Sequence, residues 1–340
     1  MSIGTVFIAV GENIHCTRIF KVGGKYAEAR TEGGGVIYYK RQGENRELPV
    51  PQVFLDSGDW EKGKVKHAAA AMWQGMYGSG SEKESGIDYL KSMAEAQEKK
   101  DASFLDLNVD EFSTDVEERC KLIQWAAEVI QSASKLPLSI DSSNIKILKA
   151  GIDACDKSKG KPMVNSVSLE RIEAISMAYE AGAVVIAGAT GKDAMPQSTE
   201  DRMDNIRALM KVLKDNGFND EDIYVDPLVF PISVDSKNGK KVLDSIAMSR
   251  KEFGNKIHFA PGLSNVSFGL PKRKNINQVF TYLCMENGLD GGIVDPKQIN
   301  LSIMQSIDTE SDSFILTKSL LLGEDEFGMN YIQAARAGRI

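Results

Sequence analysis

The chain has 340 residues, 42% of them hydrophobic and 26% charged, with a formal net charge of −7. This is the makeup of a soluble globular protein with room for a large core, and its negative average field repels phosphates, which argues against nucleic acid as the main partner. No stretch reaches the roughly 18 apolar residues of a membrane span, and the start lacks a basic region followed by an apolar core, so no membrane association and a cytoplasmic location are expected.

Val6-Phe7-Ile8-Ala9-Val10 reads as the first strand, closing on Gly11-Glu12-Asn13-Ile14-His15. A continuous apolar run ending in polar residues is the pattern of a strand buried on both faces. Glu12 at its end reads either as a substrate contact or as the partner of a loop backbone or an arginine. Residues 19–80 differ in texture: Gly23-Gly24 and Gly33-Gly34-Gly35 flank short strand-like segments, which predicts an inserted β-hairpin, and 67–77 has the composition of a short helix. This insertion fits a lid, a binding loop or an oligomer-forming element.

From 82 onward helix and strand patterns alternate. Helix 85–97 leads to Phe104-Leu105-Asp106-Leu107-Asn108-Val109, helix 115–133 to Leu138-Ser139-Ile140-Asp141, and helix 144–155 to Pro162-Met163-Val164-Asn165. Helix 170–181 leads to Ala183-Val184-Val185-Ile186-Ala187, and helix 199–217 to Ile223-Tyr224-Val225-Asp226. Helix 240–252 leads to Ile257-His258-Phe259-Ala260, and helix 275–286 to Gly291-Gly292-Ile293-Val294-Asp295. Eight strands each followed by a helix predict an α/β fold of the (β/α)8 TIM barrel type in a single domain, 1–340, with an insertion at 19–80 and a C-terminal helical tail at 308–340. An open doubly wound sheet is the alternative, but no GxGxxG follows the first strand.

In such a barrel the chemistry sits at the C-terminal ends of the strands. Those ends carry Glu12, Asp106 and Asn108, Asp141 with Ser142 and Asn144, Asn165 and Ser166, Asp226, Ser264 and Asn265, and Asp295. Carboxylates accept paired N–H bonds and amides both donate and accept, so the set suits the edge of a pterin or purine rather than a phosphate-rich ligand. Helix capping is the competing explanation for Asp141 or Asn144. Gly262 and Gly269 hold the segment that presents Ser264 and Asn265.

Other chemistries are weakly marked. His15, His67 and His258 form no HxE, HExxH or paired spacing, so no metal centre is expected. No GxSxG elbow is present. Cys16 and His15 are adjacent on an extended segment and point in opposite directions, which disfavours a Cys/His pair. Cys16, Cys120, Cys155 and Cys284 are dispersed without a CxxC, so reduced thiols are expected.

Asp106-Leu107-Asn108-Val109, Ile140-Asp141-Ser142-Ser143-Asn144, Val164-Asn165-Ser166, Tyr224-Val225-Asp226-Pro227-Leu228 and the segment from Gly262 through Leu263-Ser264-Asn265-Val266-Ser267-Phe268 to Pro271 resemble the pterin-binding methyltransferase family. That family includes methyltetrahydrofolate:corrinoid/iron–sulfur protein methyltransferase and the folate domain of cobalamin-dependent methionine synthase. The resemblance covers roughly residues 85–300, with a weaker match at Gly11-Glu12. It implies tetrahydrofolate or 5-methyltetrahydrofolate as substrate, cobalamin carried by a separate corrinoid protein, and a homodimer. It also implies pterin contacts from Asp141, Asn165 and Asp226, with Gly262 and Ser264 at the pocket and Asn265 at N5 of the folate. Arg273 matches a nearby loop arginine, and Asn108 and Glu12 complete the expected set. The opening departs from the family's usual Gly-Glu-Arg, since Asn13 and His15 stand in that loop, and the insertion is foreign to compact members. Two alternatives remain: a dihydropteroate synthase-like enzyme, which has Ser-Arg-Lys where this chain has Ser264-Asn265-Val266, and a non-catalytic folate-binding scaffold.

Overall fold

The computed structural model describes residues 3–340. Its main sheet has eight parallel strands: β1 (Ile8–His15), β2 (Ala102–Asn108), β3 (Leu138–Asp141), β4 (Met163–Val167), β5 (Val184–Gly188), β6 (Ile223–Asp226), β7 (His258–Phe259) and β8 (Gly291–Val294). Each strand lies beside the next in sequence, β1 also borders β8, and a parallel bridge between Gly262 and Ile293 joins the segment after β7 to β8. This is the expected (β/α)8 barrel. The apolar runs explain it: all five residues of β5 are buried, as are six of seven in β2. Strands covered on both faces need no alternation.

Helices follow the strands: α1 (Gly80–Glu98), α2 (Val116–Gln131), α3 (Ile145–Asp153), α4 (Glu173–Glu180), α5 (Thr199–Asp215), α6 (Asn238–Phe253), α7 (Arg273–Glu286) and α8 (Asp312–Leu322). Several begin on side-chain caps. Asp115 accepts from Glu117 N at 2.8 Å, Asn144 accepts from Lys146 N at 2.9 Å, and Ser198 with Asp201 forms a capping box at α5.

Three boundaries differ from the sequence reading. β1 starts at Ile8 and runs on to His15, so Glu12 lies inside the strand and His15 is its last residue. β7 is only His258–Phe259, because the chain turns at Pro261 into a 3-10 turn, Leu263–Ser267. The C-terminal tail supplies the eighth barrel helix, since α8 packs on α6 and α7, with Asn275 Nδ2 donating to Thr317 Oγ1 at 2.7 Å. A last helix, Met329–Arg336, buries Tyr331 and Ala334.

By its contacts the chain falls into two compact units, Gly11–Met163 and the remainder. The first contains the insertion, which is more than a hairpin. Ile19–Lys21 pairs antiparallel with Lys64–Lys66, Ile19 standing opposite Lys66, and between them Ala27–Ala29, Gly35–Arg41 and Glu44–Pro49 form a three-stranded sheet. Gln42 and Gly43, both with positive φ (53° and 87°), make the two-residue turn that such twisted hairpins favour. The sheet is tied to α1 by polar contacts: Arg41 pairs with Asp88 and Glu95, Arg46 reaches Asp88 at 2.7 Å, and Tyr39 Oη donates to Asp88 at 2.7 Å.

The helix His67–Tyr77 packs against α1 through glycines. A Cβ on Gly86 would stand 2.5 Å from Gly75 N and 2.6 Å from Ala71 O. Those are backbone atoms of the facing helix and cannot rotate away. Gly86→Ala therefore sets a helix-propensity gain of about 1 kcal/mol against an overpacking cost of about 1–3 kcal/mol, with the clash at its upper end. The variant is expected to be less stable than wild type in urea denaturation; an unchanged or higher midpoint would contradict the close approach.

Candidate functional site

Strand-end polar residues fall into two groups, one in each unit. In Gly11–Met163, the parallel register sets Asn108 opposite Asp141 at the ends of β2 and β3. Asn108 Nδ2 donates to Asp141 Oδ2 at 3.0 Å, and His15 Nε2 meets the same oxygen at 3.0 Å. His15 Nδ1 lies 2.8 Å from Thr17 Oγ1. The carboxylate assigns the proton to Nε2, so Nδ1 accepts from the threonine hydroxyl when the ring is neutral. Burial works against charge on His15, but the hydrogen bond and charge of Asp141, with the charge of Asp106, outweigh it and raise its pKa above the usual value.

Around this pair the other polar residues have structural roles. Asn108 Oδ1 accepts from Asp110 N at 2.9 Å and faces Cys16 Sγ at 3.6 Å. Cys16 is buried and its thiol pKa is pushed up to about 11 by desolvation, so it is held as a neutral thiol. Asp110 takes the Ser143 backbone N–H at 2.7 Å, which fixes the turn after β3. The capping alternative holds for Asn144, which caps α3, and fails for Asp141, which caps nothing. Glu12 pairs with Arg18 at 2.6 Å, the arginine-partner reading of that residue. His15, Asp106 and Asp141 are the described residues whose ligand atoms, all within 4.8 Å of one another, have the spacing for an ion.

In the other unit, Asp226 ends β6 beside Gly188 of β5. Its carboxylate accepts from Leu228 N at 2.8 Å and from the Gly262 backbone. Burial raises its pKa to about 6, against the pull of these N–H groups and of Arg202. Arg202 on α5 is fully buried and donates to Pro227 O at 2.9 Å and Ser198 O at 3.0 Å, so it clamps the turn that follows Asp226. Leu228 adopts a positive φ of 63° in the same turn that brings its N–H to Asp226.

Gly262 links Asp226 to Asn265. Besides donating to Asp226, it leaves room for the amide: a Cβ at 262 would stand 3.1 Å from Asn265 Nδ2. Asn265 sits on the 3-10 turn, exposed, its side chain making no hydrogen bond to the described residues. Arg273 anchors this turn, donating to Ser264 O at 2.8 Å and Ser267 Oγ at 3.0 Å, with its guanidinium over the exposed Phe268 ring. Asn165 is buried in β4. Asp295 accepts from Lys297 N at 3.0 Å and Gln298 Nε2 at 2.7 Å in the loop after β8.

Sequence reasoning missed two residues. Arg202 lies within the helix-patterned stretch 199–217, and no local signal marks its burial. His15 could have been found by extending β1 through Ile14, whose apolar side chain continues the strand.

The chain is similar to known proteins at several levels. It is 28% identical over 260 residues to the methylcorrinoid:tetrahydrofolate methyltransferase of Eubacterium limosum, which covers 74% of this chain and 89% of that protein. It is 29% identical over 229 residues to the methionine synthase of Mycobacterium leprae, of which it spans 18%. Solved dihydropteroate synthases share the fold: that of Xanthomonas albilineans aligns with a TM-score of 0.51 at 15% identity, covering 65% of this chain and 82% of that one. The Vibrio fischeri enzyme aligns with a TM-score of 0.51 at 16% identity over 65% of this chain and 83% of that one. The sequence pattern of the pterin-binding enzymes matches residues 79–295, which take in every strand end from β2 to β8, and the chain belongs to that family.

Proposed function

We propose that the protein transfers a methyl group between N5 of (methyl)tetrahydrofolate and the cobalt of a corrinoid carried by a partner protein. The observation that carries this reading is Asn265: an exposed amide with no bond to the described residues, on a turn pinned by Arg273 and set beside Gly262 and Asp226. The similarity to the Eubacterium limosum enzyme, over most of its length, supports it. The dihydropteroate synthase alternative has only a distant fold likeness behind it.

The residues divide the work by chemistry. Asp141, Asn165 and Asp226 each offer the acceptors or donors that a pterin edge pairs with. A methyl group leaves a tertiary amine poorly, so N5 must gain positive charge. The Asn265 amide oxygen accepts a hydrogen bond from protonated N5, and because its turn is already fixed it stabilises that charge without reorganising. The corrinoid cobalt, held by the partner, supplies the nucleophile that takes the methyl or the methyl that is returned. The same residues serve both directions, since a catalyst lowers one barrier for both.

In an assay with methyltetrahydrofolate and cob(I)alamin, Asn265→Ala is expected to lower kcat about 100-fold while leaving folate affinity within a few-fold. An equal loss in both would remove the N5 role, and folate binding without any transfer by the wild-type chain would favour a scaffold.

Asp226 gives a pH signature. With its pKa near 6 in the free protein, it is ionised above that pH and protonated below it. A pterin N–H needs the ionised acceptor, so folate affinity should fall as pH drops through about 6. An acid whose folded pKa is raised costs stability once ionised, so the free protein gains stability below its ordinary pKa and loses it as pH rises toward 6. Asp226→Asn should therefore weaken folate binding at pH 7.5, flatten its pH dependence and raise the melting temperature of the free protein. Calorimetric titration from pH 5 to 8 checks the first two, and a lower melting temperature would contradict the third.

A further inference from the structure

His15 closes β1, while Asp141 closes β3, 126 positions later. The two donors that hold Asp141, His15 Nε2 and Asn108 Nδ2, both bond to Oδ2, each at 3.0 Å. Oδ1 takes no hydrogen bond from the described residues, and the side chain is 28% exposed. Each donor is anchored at its far atom: Thr17 Oγ1 lies 2.8 Å from His15 Nδ1, and Asp110 N donates to Asn108 Oδ1 at 2.9 Å.

This asymmetry has a physical reading. A carboxylate that only needed its charge offset would spread its donors over both oxygens. One gripped twice through a single oxygen cannot swing about χ2, so its other oxygen is aimed in one direction as a ready acceptor. The acceptor selects an N–H donor and repels an anion.

We propose that His15 is a positioning residue for substrate binding: with Asn108 it locks Asp141 Oδ2 so that Oδ1 is presented to an N–H of the pterin ring. This rests on the reading of the pocket as a folate site. Because the ring keeps this contact before and during transfer, the contribution of His15 belongs to ground-state binding. Its loss appears in KM and not in kcat.

The test uses the full chain with 5-methyltetrahydrofolate and cob(I)alamin. His15→Ala should raise the folate KM and Kd about tenfold, the worth of one charge-assisted hydrogen bond, and leave kcat within about twofold. In His15→Gln the side-chain Nε2 can donate from nearly the same place, so KM should return to within about threefold of wild type. Thr17→Val, which leaves β1 intact and removes only the far anchor, should give a smaller rise in KM. Three results overturn the proposal: an unchanged KM in His15→Ala; a fall in kcat at constant KM, which would make His15 a proton-transfer group; or no rescue in a His15→Gln variant that melts like wild type. Loss of wild-type folate binding on treatment with EDTA, restored by zinc or manganese, would also overturn it by making His15, Asp106 and Asp141 a metal site. Failure of the wild-type chain to bind folate would instead remove the pocket reading itself, which keeps the two failures apart.

Discussion

An ionised carboxylate withdrawn from water costs several kcal/mol unless something in the protein replaces its hydration, and the strand-end aspartates must meet that cost. They meet it in different ways. Asp141 is held through one oxygen by two side chains, His15 and Asn108. Asp226 is held by backbone N–H groups and the charge of a buried arginine, which leave its pKa raised to about 6. The first arrangement fixes direction. The second leaves the charged form disfavoured, because the backbone donors and Arg202 do not fully offset burial.

The architecture explains why these residues are available. In a parallel sheet covered on both faces, the strand interiors are apolar and polar groups collect at the ends, where the next turn can offer its own N–H groups. In the turn after β6, which folds back on Asp226, Leu228 takes a positive φ and Arg202 holds the carbonyls of Pro227 and Leu228. On the turn after β7, Gly262 has no side chain to displace the Asn265 amide. Each functional side chain is therefore placed by main-chain geometry that begins on a rigid strand.

Much of this was legible in the sequence, for reasons specific to each part. The rhythm of the barrel could be read because doubly buried strands are continuous apolar runs, and the strand-end positions of Asp141 and Asp226 could be read because they end such runs. The end of β1 could not, because Glu12, Asn13 and His15 look like a loop while the backbone stays extended through them. Arg202 could not, because its burial depends on carbonyls about 25 residues away, a tertiary contact without local trace. Asn144 and Asp141 look alike in sequence, and only the direction of their hydrogen bonds separates a helix cap from a free acceptor.

The pairing of Ile19 with Lys66 has a consequence for how such a chain can change. The two residues stand side by side on neighbouring strands, so everything between them leaves and re-enters the barrel through a neck one residue pair wide. Replacing that whole excursion with a tight turn would preserve the path of β1 and the start of the helix at His67, because the chain ends to be joined are already adjacent. A segment attached in this way is modular in its backbone path, while its side chains remain fastened to α1 through Arg41, Arg46 and Tyr39.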